Sequence, residues 1–157
     1  MYGKSWFGRQ WQDHGDDFFN TKWRWSWMNI QLDNGDVISL WDMLNFTTGL
    51  DQAWGTVEHP DGTQSTVCMH LLKESEREFW TSEKSRQSYP THWTVRFPDL
   101  DAELDVRPVI RESEIVSDMP MLNKYEGASR VEGIYKGKPT KGYCFVELLG
   151  DWSEVIK

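Results

Sequence analysis

"KWRWSWMNIQLDNGDVISLWDML", residues 22–44, contains two runs of alternating apolar residues around the turn-forming "DNGD". Read as a strand, residues 22–32 put Trp23, Trp25 and Trp27 on one face and Met28, Ile30 and Leu32 on the other. Apolar residues on both faces mean one of two things. Either a bulge flips the pattern near residue 28, or both faces of the strand are covered. Asn34-Gly35 then predicts a tight hairpin of the type I′ kind, leading into a second strand over 36–44.

Working outward, the same grammar recurs. "QAWGTVE" (52–58) and "TQSTVCMHLL" (63–72) flank "HPDG", and "THWTVRF" (91–97) and "AELDVRPVI" (102–110) flank "PDLD". "GASRVEGIY" (127–135) and "GYCFVELLG" (142–150) flank "KGKPTK". Only 73–88 has the composition of a short helix or long loop. Strand follows strand without repeat or linker, which predicts one all-β domain over 1–157, a sandwich or barrel. The two-faced strand 22–32 favours an antiparallel barrel of about eight to ten strands with a ligand-sized interior.

Composition narrows the function classes. The 157 residues include ten tryptophans, more rings than a core of this size needs, so some should line a ligand site. A net charge of −8 argues against nucleic acid or an anionic membrane as partner. No apolar run spans a membrane and the first residues lack a secretory h-region, so a soluble, cytoplasmic protein is expected. Cys68 and Cys144 read either as free thiols or as one disulfide. His14, His59, His70 and His92 are scattered without metal-ligand spacing, so no metal or other cofactor is expected.

Three ionisable residues share a strand face with apolar neighbours. Asp42 lies with Ile38, Leu40 and Leu44; Glu147 with Tyr143, Phe145 and Leu149; and Arg9, in "SWFGRQW" (5–11), with Phe7 and Trp11. Such groups must pair or shift their pKa. Arg9 and Glu147 could form an internal ion pair that closes the barrel. Asp42 could instead be a desolvated acid that delivers a proton at neutral pH. Rings beside an acid suit protonation of an alkene, because indole faces shelter a cation. Glu126 and Glu147 raise the question of a glycosidase pair, whose separation a strand pattern does not supply. Nucleotide-loop, nucleophile-elbow, zinc and calcium motifs are missing.

"SWFGRQW", "WRWSWMNIQLDNGD", "EFWTSEKSRQSYPTHW", "YEGASRVEG" and "GYCFVELLG" occur in this order, and together they resemble the carotenoid 1,2-hydratase (hydroxyneurosporene synthase) family. That family also holds AttH-like proteins and lipocalin-like cyclases of natural-product biosynthesis, some of them Diels–Alderases. The resemblance runs from about Ser5 to Gly150 and implies a lipocalin-like barrel, similar to the C-terminal domain of two-domain members. It implies active-site roles for Arg9, Trp11 and Asp42. Gly8 stands where the family motif usually carries an acid.

The resulting expectation is a cofactor-independent cyclase or hydratase for an apolar polyene, isoprenoid or polyketide. Asp42 would be the acid, Arg9 with Glu147 the orienting pair, and Trp11, Trp25, Trp27, Trp41, Tyr143 and Phe145 the substrate-facing residues. Trp41 falls opposite Asp42 by parity unless a bulge intervenes. A pericyclic route held by proximity needs no acid. The alternative is a non-catalytic carrier of an apolar small molecule. A lone domain could also self-pair as a homodimer.

Overall fold

The computed structural model describes residues 22–119 and 122–153; Arg9 and Trp11 lie outside them. Eleven strands run in chain order among the described residues. They are β1 (Trp23–Leu32), β2 (Val37–Asn45), β3 (Asp51–Glu58), β4 (Gln64–Cys68), β5 (Trp80–Thr81) and β6 (Ser88–Tyr89). Then follow β7 (Trp93–Phe97), β8 (Ala102–Pro108), β9 (Glu114–Ile115), β10 (Lys124–Tyr135) and β11 (Lys138–Gly150). The helical elements described are two 3₁₀ turns, Leu72–Glu74 and Pro98–Leu100.

One antiparallel sheet carries the order β4-β3-β2-β1-β11-β10-β8-β7, with β9 added on β10, while β5 and β6 pair separately. The sheet curls until its edges meet. His70 N–H, just past β4, donates to the Arg96 carbonyl of β7 at 3.1 Å, and Cys68 N–H donates to Asp99 Oδ2 at 3.2 Å. The result is an open lipocalin-like half-barrel with a thin seam.

β1 is the sheet's central element and carries no bulge. Its register is unbroken against β11 from Arg24↔Gly150 to Leu32↔Gly142, and against β2 from Trp23↔Asn45 to Gln31↔Val37. The strand is therefore covered on both faces. Met28, Ile30 and Leu32 point into the barrel with Ile38, Leu40, Cys144, Val146 and Leu148. Trp93, Phe97, Tyr89, Tyr125 and Trp152 come from the remaining wall and fill the space between. Each such side chain contributes about 1.5–3 kcal/mol by leaving water. This corrects one expectation: the ligand-sized interior is occupied by side chains, and the tryptophan face of β1 is the outer one.

Turn chemistry differs from the expected type I′ at Asn34. Leu32 N–H donates to Asp36 C=O at 3.0 Å, Gly35 N–H donates to Leu32 C=O at 3.1 Å, and Gly35 alone in this turn has positive φ, at 91°. That is a three-residue loop ending in a left-handed glycine. "HPDG" repeats it, with Gly62 at φ 83° and His59 N–H donating to the Thr63 carbonyl at 2.9 Å. The two-residue type I′ turn lies instead at Lys136-Gly137 (φ 51° and 71°), so β11 begins at Lys138, four residues earlier than "GYCFVELLG" suggests. Pro139 is tolerated in this stretch because the last backbone bond to the β1 side is Asp33 N–H to the Lys141 carbonyl, which leaves 138–140 paired on one side only.

A buried carboxylate locks this end. Asp36 accepts from Tyr135 Oη (2.8 Å) and Lys136 Nζ (2.9 Å) and lies 3.0 Å from His59 Nδ1. Those partners overcome the cost of burial and hold the acid far below the ordinary carboxylate range. Both cysteines are free. Cys68 is exposed, and the buried Cys144 thiol is pushed well up by desolvation.

Candidate functional site: a tryptophan row ending in two carboxyl groups

Because residues of one parity line up across a sheet, the outer face carries a lateral row. Trp54 (β3) pairs with Trp41 (β2), Trp41 with Trp27 (β1), Trp27 with Glu147 (β11), and Glu147 with Glu126 (β10). Three indoles thus lead directly to two facing carboxyl groups.

The rings form one contiguous layer. Trp41 stacks on Trp54 (6.5 Å, 14°), meets Trp25 edge-on (5.6 Å, 85°) and lies 6.2 Å from Trp27. Trp27 touches Phe145 at 6.3 Å, and Trp23 extends the layer beyond Trp25 at 5.1 Å. The layer is buried along β1 and opens at its margins, where Trp54 is 38% and Tyr143 69% exposed. Polar tips are held: Trp27 Nε1 donates to Ser39 Oγ at 3.0 Å, and Trp25 Nε1 donates to Glu147 Oε1 at 3.3 Å.

Glu147 is half-buried among these rings. Burial raises its pKa, and so does Glu126 facing it across the strands. Lys124 beside it and the Trp25 N–H pull the other way without cancelling the rise. Lys124 Nζ forms an ion pair with Glu126 Oε1, while Glu147 is the member of the pair whose pKa is raised. Directly opposite positions in the β10–β11 register put the two Cβ atoms about 4.5–5.5 Å apart.

Asn29, two residues from Trp27 on the same face, sits between Ser39 and Phe145 in the register. It is 1% exposed. Its Oδ1 accepts from Gln31 Nε2 at 3.1 Å, while its Nδ2 has no hydrogen-bond partner.

The structure therefore sorts the expected site residues into two places. Trp25, Trp27, Trp41, Tyr143, Phe145 and Glu147 share the outer face. Asp42 does not join them: it faces inward, on the parity of Ser26 and Leu148, which corrects the picture of one acid among those rings. Asp42 is 8% exposed, and its Oδ2 accepts from Leu72 N–H at 2.7 Å, tying the first 3₁₀ turn to β2. Desolvation pushes it up to about 6, with Asp51 and Glu76 adding to the rise.

The inner end holds a further buried pair. Arg24 Nη2 reaches Glu76 Oε2 at 3.0 Å and Oε1 at 3.3 Å, and its guanidinium lies 4.2 Å from the Trp152 ring centroid. Arg24 is thus a stacked, carboxylate-paired arginine, the arrangement expected for Arg9, which lies outside the described residues. Burial outweighs the arginine and raises Glu76.

Two features escaped the sequence reading. His92 is buried between Asp105 Oδ2 (2.5 Å) and Glu78 Oε1 (3.0 Å), with Arg107 bridging the same two acids. Beside it, outside β7, β8 and β10, runs an open groove of about 650 Å³ whose lining includes Arg77, Arg96, Asp101 and Glu132. Its charged lining does not suit an apolar ligand. Among the described residues no His, Cys, Asp or Glu cluster is arranged to hold a metal ion, and no helix is long and apolar enough to cross a membrane.

The AttH-like family model matches residues 1–151. The chain belongs to the AttH-like family. Beyond that assignment, the chain is 28% identical over 153 residues to dehydratase asqC of Emericella nidulans, covering 92% of this chain and 42% of that protein. In structure it is similar to kievitone hydratase of Nectria haematococca (TM-score 0.72, 18% identity, 83% of this chain and 40% of the other). It is also similar to an AttH of Nitrosomonas europaea (TM-score 0.63, 20% identity, 82% and 39%). These two similarities bear on the fold: they match the curled antiparallel sheet. This AttH-like chain spans about two fifths of the length of the proteins it matches.

Proposed function

We propose that this chain adds water to a carbon–carbon double bond of an apolar substrate lying against the tryptophan row, or removes water from the corresponding alcohol to form that bond. The observation that carries the proposal is the Glu126–Glu147 pair at the end of that row. The names of two similar proteins, a dehydratase and a hydratase, point to the same class of chemistry.

In the hydration direction, the Glu147 carboxyl proton passes to one alkene carbon. A C–H bond forms, the π bond breaks, and the neighbouring carbon becomes cationic beside Trp27 and Trp41. Water attacks that carbon and gives its surplus proton to the carboxylate pair. That proton ends on Glu147, so alkene plus water becomes alcohol with the protein unchanged. Dehydration is the reverse, with Glu147 protonating the leaving hydroxyl. A built acid favours this route over a pericyclic cyclisation, which needs none. An isoprenoid or polyketide substrate fits the extent of the ring layer.

The test is incubation of the full chain with a panel of isoprenoid and polyketide alkenes and alcohols in deuterated water, followed by mass spectrometry. Gain or loss of one water, with deuterium fixed on carbon in the hydrated products and both lost in Glu147→Gln, is expected. Turnover that persists undiminished in Glu147→Gln overturns the assignment. Saturable tryptophan quenching with no product from any member of the panel favours the carrier reading instead.

A further inference from the structure

Every polar atom described on the ring layer is engaged in a bond, or lies where water reaches it, except one. Asn29 Nδ2 is buried and unpartnered on this face, beside Phe145 and one residue pair along from the Trp27–Glu147 pair. Leaving an amide N–H in that state is costly, and isosteric leucine would remove the cost. Asparagine is also disfavoured in strands. A donor that stays unpartnered with Ser39, Gln31 and Phe145 around it is suited to an acceptor brought by a ligand.

We infer that the Asn29 carboxamide holds a carbonyl oxygen of the substrate, so that the substrate class is an apolar alkene bearing a ketone or aldehyde. The inference rests on the ring layer being the substrate site. Asn29 and Glu147 are diagonal neighbours across β1 and β11, about 7–8 Å apart with their Cβ atoms somewhat closer. A carbonyl anchored on Nδ2 therefore sets an alkene a few bonds away over the Glu147 carboxyl group. It also fixes which carbon receives the proton. Asn29 is a substrate-binding residue in this account, and the proton chemistry stays with Glu147 and Glu126.

Two probes of one skeleton test it: β-ionone, an isoprenoid with one conjugated ketone, and its deoxygenated hydrocarbon. Binding to the full chain is read by tryptophan quenching, and the carbonyl by the infrared stretch of carbonyl-¹³C β-ionone. The wild-type chain should bind the ketone about tenfold tighter than the hydrocarbon, as one net hydrogen bond allows. Asn29→Leu should bring that ratio to about one, leave hydrocarbon binding unchanged and move the bound carbonyl stretch to higher wavenumber. Its ligand-free melting temperature should not fall; a lower one would mark Asn29 as a structural residue and overturn the inference. An unchanged tenfold preference in Asn29→Leu overturns it too. Equal binding of both probes by the wild-type chain defeats the Asn29 assignment but leaves the ring layer standing. Failure of both probes to bind defeats the ring-layer reading and this inference with it.

Discussion

Glu126 and Glu147 face each other directly across β10 and β11, with Lys124 on one side and the Trp25 indole N–H on the other. Burial and the facing Glu126 both make ionisation of Glu147 more costly than that of a lone surface glutamate. If Glu147 is the proton donor, Glu147→Gln should lower kcat by about 10²–10⁴-fold, measured on the first substrate the panel identifies.

The pH dependence follows from the same pair. An acid whose pKa is raised is protonated below that value and ionised above it, so hydration activity should fall as pH rises through the Glu147 value. Because the Glu126 charge helps to raise it, Glu126→Gln should move that limb to lower pH. A limb that stays put in Glu126→Gln, in a plot of kcat against pH, would separate Glu147 from the rate.

Asp42 makes a prediction about stability. Its pKa rises from 3.8 to about 6 on folding, chiefly through desolvation. The stabilisation tied to its protonated form is fully present below about 3.8 and is lost as pH climbs through about 6. At pH 7 the ionised group costs up to about 3 kcal/mol. Asp42→Asn still offers an oxygen to Leu72 N–H, so it should raise the midpoint of urea unfolding at pH 7. It should also flatten the pH dependence between about 4 and 6, and an unaltered slope in that window would sink the account.

The Arg24–Glu76 pair should behave as a unit. Both side chains are almost fully buried, 4% and 3% exposed, so removing one partner leaves a charge in the core. Glu76→Gln is expected to cost about 3–5 kcal/mol. Arg24→Met with Glu76→Leu together should cost far less than the sum of the single changes. Strict additivity in a double-mutant cycle would show that the pair is not coupled.

Close strand approach gives a further test. A Cβ on Gly142 would lie 2.2 Å from the Gln31 carbonyl oxygen of β1. Gly142→Ala should therefore push β11 from β1 and lower stability by about 1–3 kcal/mol, read from the thermal midpoint.

The strands were legible because their signal is local. Alternating apolar residues and Gly-containing turns mark nearly every hairpin, and the wrong-parity test singled out Asp42 and Glu147 as carboxyl groups on apolar faces. Which face looks inward was not legible. On β1 both parities are apolar, so Trp23, Trp25 and Trp27 could equally have been core, and only pairing across five strands shows them outside. Asn29 was missed because an orphan donor is defined by what fails to surround it. His92 was missed because its acids, Glu78 and Asp105, come from distant segments. The type I′ turn was displaced because Asp33 extends the first loop by one residue, whereas Lys136-Gly137 closes its hairpin with two.

The unbulged course of β1 has an evolutionary corollary. With greasy side chains on both sides, the strand has two reading frames that hydrophobicity scarcely distinguishes, and the hairpin at Asp33–Gly35 keeps them apart. Loss of one residue from that bend would thread tryptophans into the space of isoleucine and leucine, and lineages carrying this module should vary its length elsewhere before they vary it here.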